Sequence, residues 1–547
     1  MDQRARDVIA MGDALFAKKR SIDQLMQEIA LNFYPERADF TVRHSDGAEF
    51  ASHLFSSYPV LARRELGNLF ASNLRPRASK WFSTHARDEA LDKGTEERRY
   101  LEYLTDVQWR AMYDTASQFV RATKEADHDF AAFGNAVIKV GPNLAGDGLF
   151  FSCHHLRDNV WSENAEGKID ANHRNWNPSA RQLKEHFGDK VSREVAKAAE
   201  KEPEKEFACR NVVLPARLYD AGSAGRRFPY VSLYVERDSE ILLEEVGLNY
   251  FPYVIPRWQT VSGSPFGRSM ATGIALSDGR TMQVVVRVLR EAGEKFVDPP
   301  MIGVEGALRS DIALYPGGIT FADIEYDERL GEVLRPVAQD RSGMPIGLEI
   351  AQALREDLSS AFFLDKIKLP EVGPDMTATE VRRRIEEHIR AASPLFEPIE
   401  QEYNTPLCEL AFTILREGGA FGPAEAMPET LRGSDIQFTF RSPVSDMADQ
   451  SDAAIFVEGL ASVIQPAAQF DPAQLENIDM TEGVRDSLRG LGWKSHWLKD
   501  KAAVEARRAE LEREATMQKG MGALQEAAAL AEQGGKGAQA IIEADEA

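Results

Sequence analysis

The chain has 547 residues, 43% hydrophobic and 28% charged, which at the usual domain size allows about two to four domains with several buried cores. Its formal net charge of -22 argues against a tight or sequence-specific grip on DNA, because a basic face that neutralises phosphates supplies most of that affinity. It leaves open a surface past which DNA slides, and equally an acidity that only keeps the protein soluble.

No apolar run approaches the roughly 18 residues of a membrane helix. The charged start MDQRARDVIAMGD lacks the apolar core of a signal peptide. Cys153, Cys209 and Cys408 stand far apart, which suits a reducing compartment and gives no disulfide framework. About the first 130 residues read as mostly helical. Ser21 and Gln24 fit a capping box, in which each side chain satisfies the other residue's free backbone N–H. They precede IDQLMQEIALNFYP, which Pro35 ends. Apolar residues at helical spacing continue through 51–75 and 96–132. In the second of these, Leu101, Leu104, Trp109, Met112 and Phe119 read as a core face rather than a ligand site.

From about 134 to 259 the texture changes to short alternating runs: NAVIKV, GLFFSCHHL, RNVVLPARLY, FPYVSLYVER and EILLEEV. These predict antiparallel strands with a helical insertion near 178–201. A helix follows at 268–297, with Met282, Val285, Val286, Leu289 and Ala292 on one face; its part from Asp278 onward spans about 30 Å at 1.5 Å per residue. Residues 298–345 are rich in Pro and Gly and predict a small insert ahead of a second helix, IGLEIAQALREDLSSAFF, at 346–363.

Next comes LDKIKLPEVGPDM at 364–376, a short stretch with two lysines, two prolines and a glycine. A firmly started helix follows it: Thr377 and Glu380 fit a capping box, and Val381, Ile385 and Ile389 repeat at helical spacing. Pro394, Pro398 and Pro406 then interrupt a pattern that runs on through Leu395, Ile399, Tyr403, Leu407 and Leu410, and proline inside a helix kinks or breaks it. The end of the chain, 501–547, is rich in Ala and Glu and predicts a marginal helix with a mobile tail.

Catalytic motifs fail one by one. GSPFGRS at 263–269 has too few residues between its glycines for a phosphate loop and carries Arg268 where the lysine belongs, so it reads as a turn entering a helix. GGKG at 534–537 follows no strand. In CHH at 153–155, neighbouring side chains of a strand point to opposite faces, and no second cluster completes a zinc site. DHD at 127–129 offers two carboxylates for magnesium but reads as solvated charge on a polar helix face. Neither H-E-x-x-H nor G-x-S-x-G occurs. The residues therefore point to no catalytic group, no cofactor and no metal; alone they describe a soluble α+β protein of several domains.

Four stretches resemble the portal (head-to-tail connector) proteins of short-tailed, podovirus-type bacteriophages: RRELGNLFASNLRPRASKWFSTH at 63–85, YFPYVIPRWQTVSGSPFGRSMATGIALSDGRTMQ at 250–283, VDPPMIG at 297–303, and MTATEVRRRIEEHIRAASPLFEPIEQEYNTPLCELAFTIL at 376–415. The likeness runs to about residue 445. It implies an α+β, mainly helical fold that assembles as a ring, usually of twelve subunits, at one vertex of the capsid. The wing would take 1–267 and 377–445, the two-helix stem 268–297 and 346–363, the clip 298–345, the tunnel loop 364–376 and the crown 446–547.

The resemblance further implies a non-enzymatic conduit through which double-stranded DNA is packaged and ejected without sequence preference. Its partners would be the packaging ATPase (the terminase large subunit), tail adaptor proteins, and capsid and scaffolding proteins; no membrane is involved. The protein would sit in the virion, after a stay in the host cytoplasm during assembly. In the tunnel loop, Lys366 and Lys368 would face passing DNA, with Thr377 and Glu380 anchoring the loop through the helix cap and Pro394 and Pro398 kinking the helix behind it. The alternatives are a plain surface loop with solvated lysines and, for the whole chain, a DNA-packaging or DNA-processing enzyme subunit or a scaffold without a channel.

Overall fold

A computed structural model describes residues 2–45, 47–77, 79–88, 95–143, 145–219, 227–303, 334–336, 343–364, 397–423, 427–433 and 435–440, with scattered positions between 456 and 518. In chain order the elements are α1 (Gln3–Phe33), α2 (Tyr58–Leu74), β1 (Phe82–Ala86), α3 (Thr95–Met112), α4 (Phe119–Phe133), β2 (Ile138–Pro142), β3 (Leu149–Cys153), β4 (Asn159–Glu163) and β5 (Ile169–Trp176). There follow α5 (Ala180–Phe187), α6 (Arg193–Lys201), β6 (Cys209–Pro215), β7 (Tyr230–Glu236), β8 (Ile241–Leu248), β9 (Tyr253–Val254), β10 (Gln259–Val261) and β11 (Ser264–Arg268). The last are α7 (Thr272–Val297), β12 (Met301–Gly303), β13 (Leu334–Pro336), α8 (Gly343–Ala361), α9 (Thr405–Glu417) and β14 (Ile436–Phe440). The chain divides into two compact units, one of Met1–Phe82, Val107–Phe421 and Phe440–Val444, the other of Ser83–Asp106, Gly422–Thr439 and Ser445–Ala547.

The first unit is built on an antiparallel sheet in the order β4-β5-β6-β7-β8. Successive residues of a strand point to opposite faces, and both faces of this sheet are covered. Ala5 and Val8 of α1 pack on one face against Val212, Leu214, Val231, Leu233 and Val235. On the other, Leu183 and Phe187 of α5 and Val195 of α6 pack with Cys209 and Leu243. Every residue of β6 is accordingly buried.

Helix α1 is clamped to the sheet by two buried cations. Arg210 donates to Ile9 O, to Asp13 Oδ1 (both 2.8 Å) and to Asn175 Oδ1 (3.0 Å). Gly12 makes room for it, since a Cβ there would lie 2.3 Å from the guanidinium. Lys19, fully buried, donates to the carbonyls of Leu156 and Asn159 and pairs with Asp23. These tertiary anchors carry the helix straight through the capping box expected at Ser21 and Gln24. Ser21 is an exposed interior residue, and the helix ends at Phe33, ahead of Pro35.

The helical run expected over 96–132 is also corrected: it is two helices. Asp114 accepts from Ala116 N (2.8 Å) to cap a single 3-10 turn, and Gln118 sits in the left-handed region (φ 57°), turning the chain before α4. Strands β4 and β5 were not expected at all, because β5 reads IDANHRNW and buries Asn172 and His173 completely. The stretch at 263–269 is an antiparallel hairpin arm rather than a turn entering a helix, and the amide of Gly267 is taken by Asn135 Oδ1 at 2.8 Å.

A second core of the same unit is aromatic. Phe70, Phe130 and Trp258 lie within 5.2–5.8 Å of one another by ring centroid, and Phe130 meets Tyr403 at 5.6 Å. Gly134 ends α4 in the left-handed region (φ 70°), where a Cβ would lie 2.0 Å from the backbone of Arg268; only glycine fits there. In the second unit β1 pairs with β14, and Thr84 ties that strand to α3 through Leu101 O (2.6 Å) and the Thr105 hydroxyl (2.9 Å).

Candidate functional site

Helices α7 and α8 form a hairpin with the chemistry of an assembly element. Strands β12 and β13, which lie between the two helices in the sequence, pair antiparallel, Met301 opposite Pro336 and Gly303 opposite Leu334. Gly347 lets the two helices approach, since a Cβ there would lie 2.8 Å from Leu289 Cδ2. Ser269 starts α7 by accepting from the N–H groups of Ala271 and Thr272 (both 3.2 Å) while donating to Ala131 O (2.8 Å). Further along, the Gln283 side chain acts as a stretch of strand edge. It accepts from the amides of Phe55 and Ser56 (both 2.8 Å) and donates to Ser56 O (2.9 Å).

The inner side of the hairpin is ordinary core: Met282, Ala351 and Leu358 are buried. Its other sides are not. Ile274 and Ile346 are 69% and 59% exposed, and Val284, Val288, Leu348 and Ile350 are about half exposed. On α7, Val284 and Val288 fall about 160° and 120° from the buried Met282 at 100° per residue, so they point away from the buried side. Exposed apolar side chains on several sides of one hairpin leave surface for a partner to cover.

Behind the hairpin lies a buried polar cluster that gathers α2, α4 and the segment before α9. Arg75 pairs with Asp127 and donates to Asn404 Oδ1 (2.8 Å), Tyr403 OH donates to Asp127 (3.0 Å), and the guanidinium sits 4.6 Å from the Tyr403 ring centre. Burial pushes the Asp127 carboxyl up, and Arg75 and Tyr403 oppose that shift. Two residues further on, Asp129 takes both arms of Arg37 (3.1 and 3.2 Å). Between them, Arg63 meets His128 Nδ1 at 3.0 Å; burial first, then Arg63, holds this imidazole down to about 4, so it stays a neutral acceptor.

The D-H-D run is therefore not the solvated charge expected of it: Asp127 and Asp129 are buried and neutralised by arginines from 52 and 92 residues away. In the C-H-H run, Cys153 Sγ stands 4.0 Å from Asp129, His154 meets the Ser152 hydroxyl at 3.1 Å, and His155 meets Asp39 at 2.7 Å. Among the described residues no group of three or more His, Cys, Asp or Glu could hold a metal ion.

Tyr403 and Asn404 are held in a π-helical segment, Glu400–Asn404, in which the Thr405 N–H reaches back to Glu400 O. Pro406, next in line, has no N–H to donate and its ring crowds the carbonyl four residues back, which widens the turn. Pro398 is half-buried in the helical turn just before this segment. Lys366, Lys368, Thr377, Glu380 and Pro394 lie outside the described residues, as do all of the insert between β12 and β13 and most of 446–547. The site residues that sequence reasoning missed are Arg75, Asn404 and Gln283. Periodicity carries no signal for them, because each works through a partner over two hundred residues away.

The chain thus presents a helical hairpin with exposed apolar side chains on a mixed helix-and-sheet body whose buried Asp127 and Asp129 are paired with arginines. The model of the family described as bacteriophage head to tail connecting protein matches residues 5–498, and the chain belongs to that family. It is 24% identical over 469 residues to the probable portal protein of Bordetella phage BPP-1, covering 83% of this chain and 81% of that one. It is also 24% identical over 325 residues to the portal protein of Salmonella phage epsilon15, covering 58% and 57% of the two chains. A chain of the solved virion of a native gene transfer agent particle aligns with 80% of this chain at 10% identity and a TM-score of 0.33, a likeness that carries no argument.

Proposed function

We propose that the chain is a phage portal subunit. Copies close into a ring, of about twelve, at one vertex of the capsid. Double-stranded DNA enters and leaves through the ring, which docks first the packaging ATPase and then the tail adaptors, and does no chemistry itself. In this reading 268–297 and 346–363, which hold α7 and most of α8, are the stem, residues 298–345 the clip, and 364–376 the tunnel loop. The wing takes 1–267 and 377–445, and Lys366 and Lys368 stand in the channel.

The observation that carries the reading is the exposed apolar face of the α7–α8 hairpin, found in a chain of the head-to-tail connecting family. Such a face needs a partner, and a repeated lateral contact between unlike patches closes into a ring when the rotation permits. Native mass spectrometry of the purified protein tests it. One dominant species near twelve copies of the 60.9 kDa chain is expected, with a central hole in electron micrographs. A protein that stays monomeric under all assembly conditions would sink the proposal.

A further inference from the structure

We infer that the hairpin carries both halves of a charge-paired contact between neighbouring copies: a two-arginine groove on one copy, and the acidic edge of α8 on the next. The inference rests on the ring reading and adds what joins the copies. The groove, about 400 Å³, is bounded by Phe55, Tyr58 and Leu61 on one side and by Val286, Arg290 and Arg355 from the two helices on the other. Among the described residues no carboxylate lines it.

The other arginines of the hairpin are engaged: Arg280 pairs with Glu28, and Arg287 with Glu291 at 3.7 Å. Arg290 and Arg355 are exposed and have no acidic partner among the described residues. Two like charges brought to one groove repel each other until an anion joins them.

The same helix offers that anion elsewhere. At 100° per residue, Glu349 and Glu356 fall about 100–120° round α8 from Arg355, away from the buried Ala351 and Leu358. Both are exposed, and the side chain found with either is Gln352, whose amide donates to Glu356 at 3.1 Å. Neither meets a cation among the described residues.

A single hairpin thus holds an unpaired cation pair and an unpaired carboxylate pair on different sides. A head-to-tail contact satisfies both in every copy, and is the geometry that closes a ring. DNA phosphates would satisfy the arginines but leave the carboxylates of adjacent copies unmatched. Exposed Leu61 beside the groove, and Leu348 two turns before Arg355 on the same face of α8, supply apolar surface to seal the pairing.

The test is a charge swap in the full chain. Arg290→Glu/Arg355→Glu makes groove and edge both acidic; Glu349→Arg/Glu356→Arg makes both basic. Each variant alone should lose the ring seen for the parent in native mass spectrometry. An equal mixture should regain rings, with even copy numbers and the two chains alternating. All four positions are exposed, so the far-ultraviolet circular dichroism of each variant should match the parent, while melting follows the loss of assembly.

A second measurement does not depend on assembly of the variants. Arg290→Cys/Glu356→Cys rings, once oxidised, should give a ladder of linked chains on a denaturing gel. Either charge variant assembling like the parent, a mixture that fails to assemble, or only single chains from an oxidised ring would overturn the contact. A parent chain that forms no ring strikes the portal reading itself, whereas intact parent rings with indifferent variants strike this contact alone.

Discussion

Arg75 touches three groups from inside the core: the Asp127 carboxylate, the Asn404 amide and the Tyr403 ring. A buried ion pair adds little net stability over well-packed apolar groups, but removing one partner strands the other charge. Arg75→Met should therefore destabilise the first unit by about 3–5 kcal/mol, read as a lower urea midpoint. Arg75→Met with Asp127→Leu should recover much of that loss. A single variant as stable as the parent would mean that the pair does not hold α2 to α4. This cluster was the least legible part of the sequence. The D-H-D run looked solvated because its cations, Arg75 and Arg37, are distant in sequence, and a burial pattern read from neighbours alone cannot see them.

At the scale of elements, α7 and α8 were legible because each runs for several turns rich in apolar residues without an interrupting proline, and Met282 landed in the core as expected. Strand β5 was not: its buried positions are Asn172 and His173, with Asn172 donating to Asn159 Oδ1 at 3.2 Å, so alternation of apolar and polar residues never develops. The break between α3 and α4 was missed because apolar spacing runs on across a turn made by a short polar capping stretch.

The loop at 364–376 belongs to this scale too. If Lys366 and Lys368 meet passing DNA, changing both to Ala should alter the length of DNA packaged or retained, while ring assembly and melting stay near the parent, since exposed lysines contribute little to folding. If Thr377 caps the helix expected after the loop, Thr377→Ala should instead cost about 1 kcal/mol. Lysine variants that package and retain DNA like the parent would leave the loop a plain connector.

For the whole molecule, a net charge of -22 suits a conduit that DNA must pass in both directions without sticking, provided the acids face the passage. Docking is assigned to the clip, and replacing 305–340 with a short linker should abolish binding of the packaging ATPase while the sheet of the first unit keeps its fold. Binding that survives undiminished would place the docking surface elsewhere. The pairing of β12 with β13 has one more consequence. Because the chain departs and returns side by side, whatever is spliced between those strands inherits closed ends. Loop-closure entropy grows by only about 0.6 kcal/mol for each doubling of length. An insert of another length joined at Gly303 and Leu334 should therefore leave the pairing of the two strands intact and the helical hairpin in register.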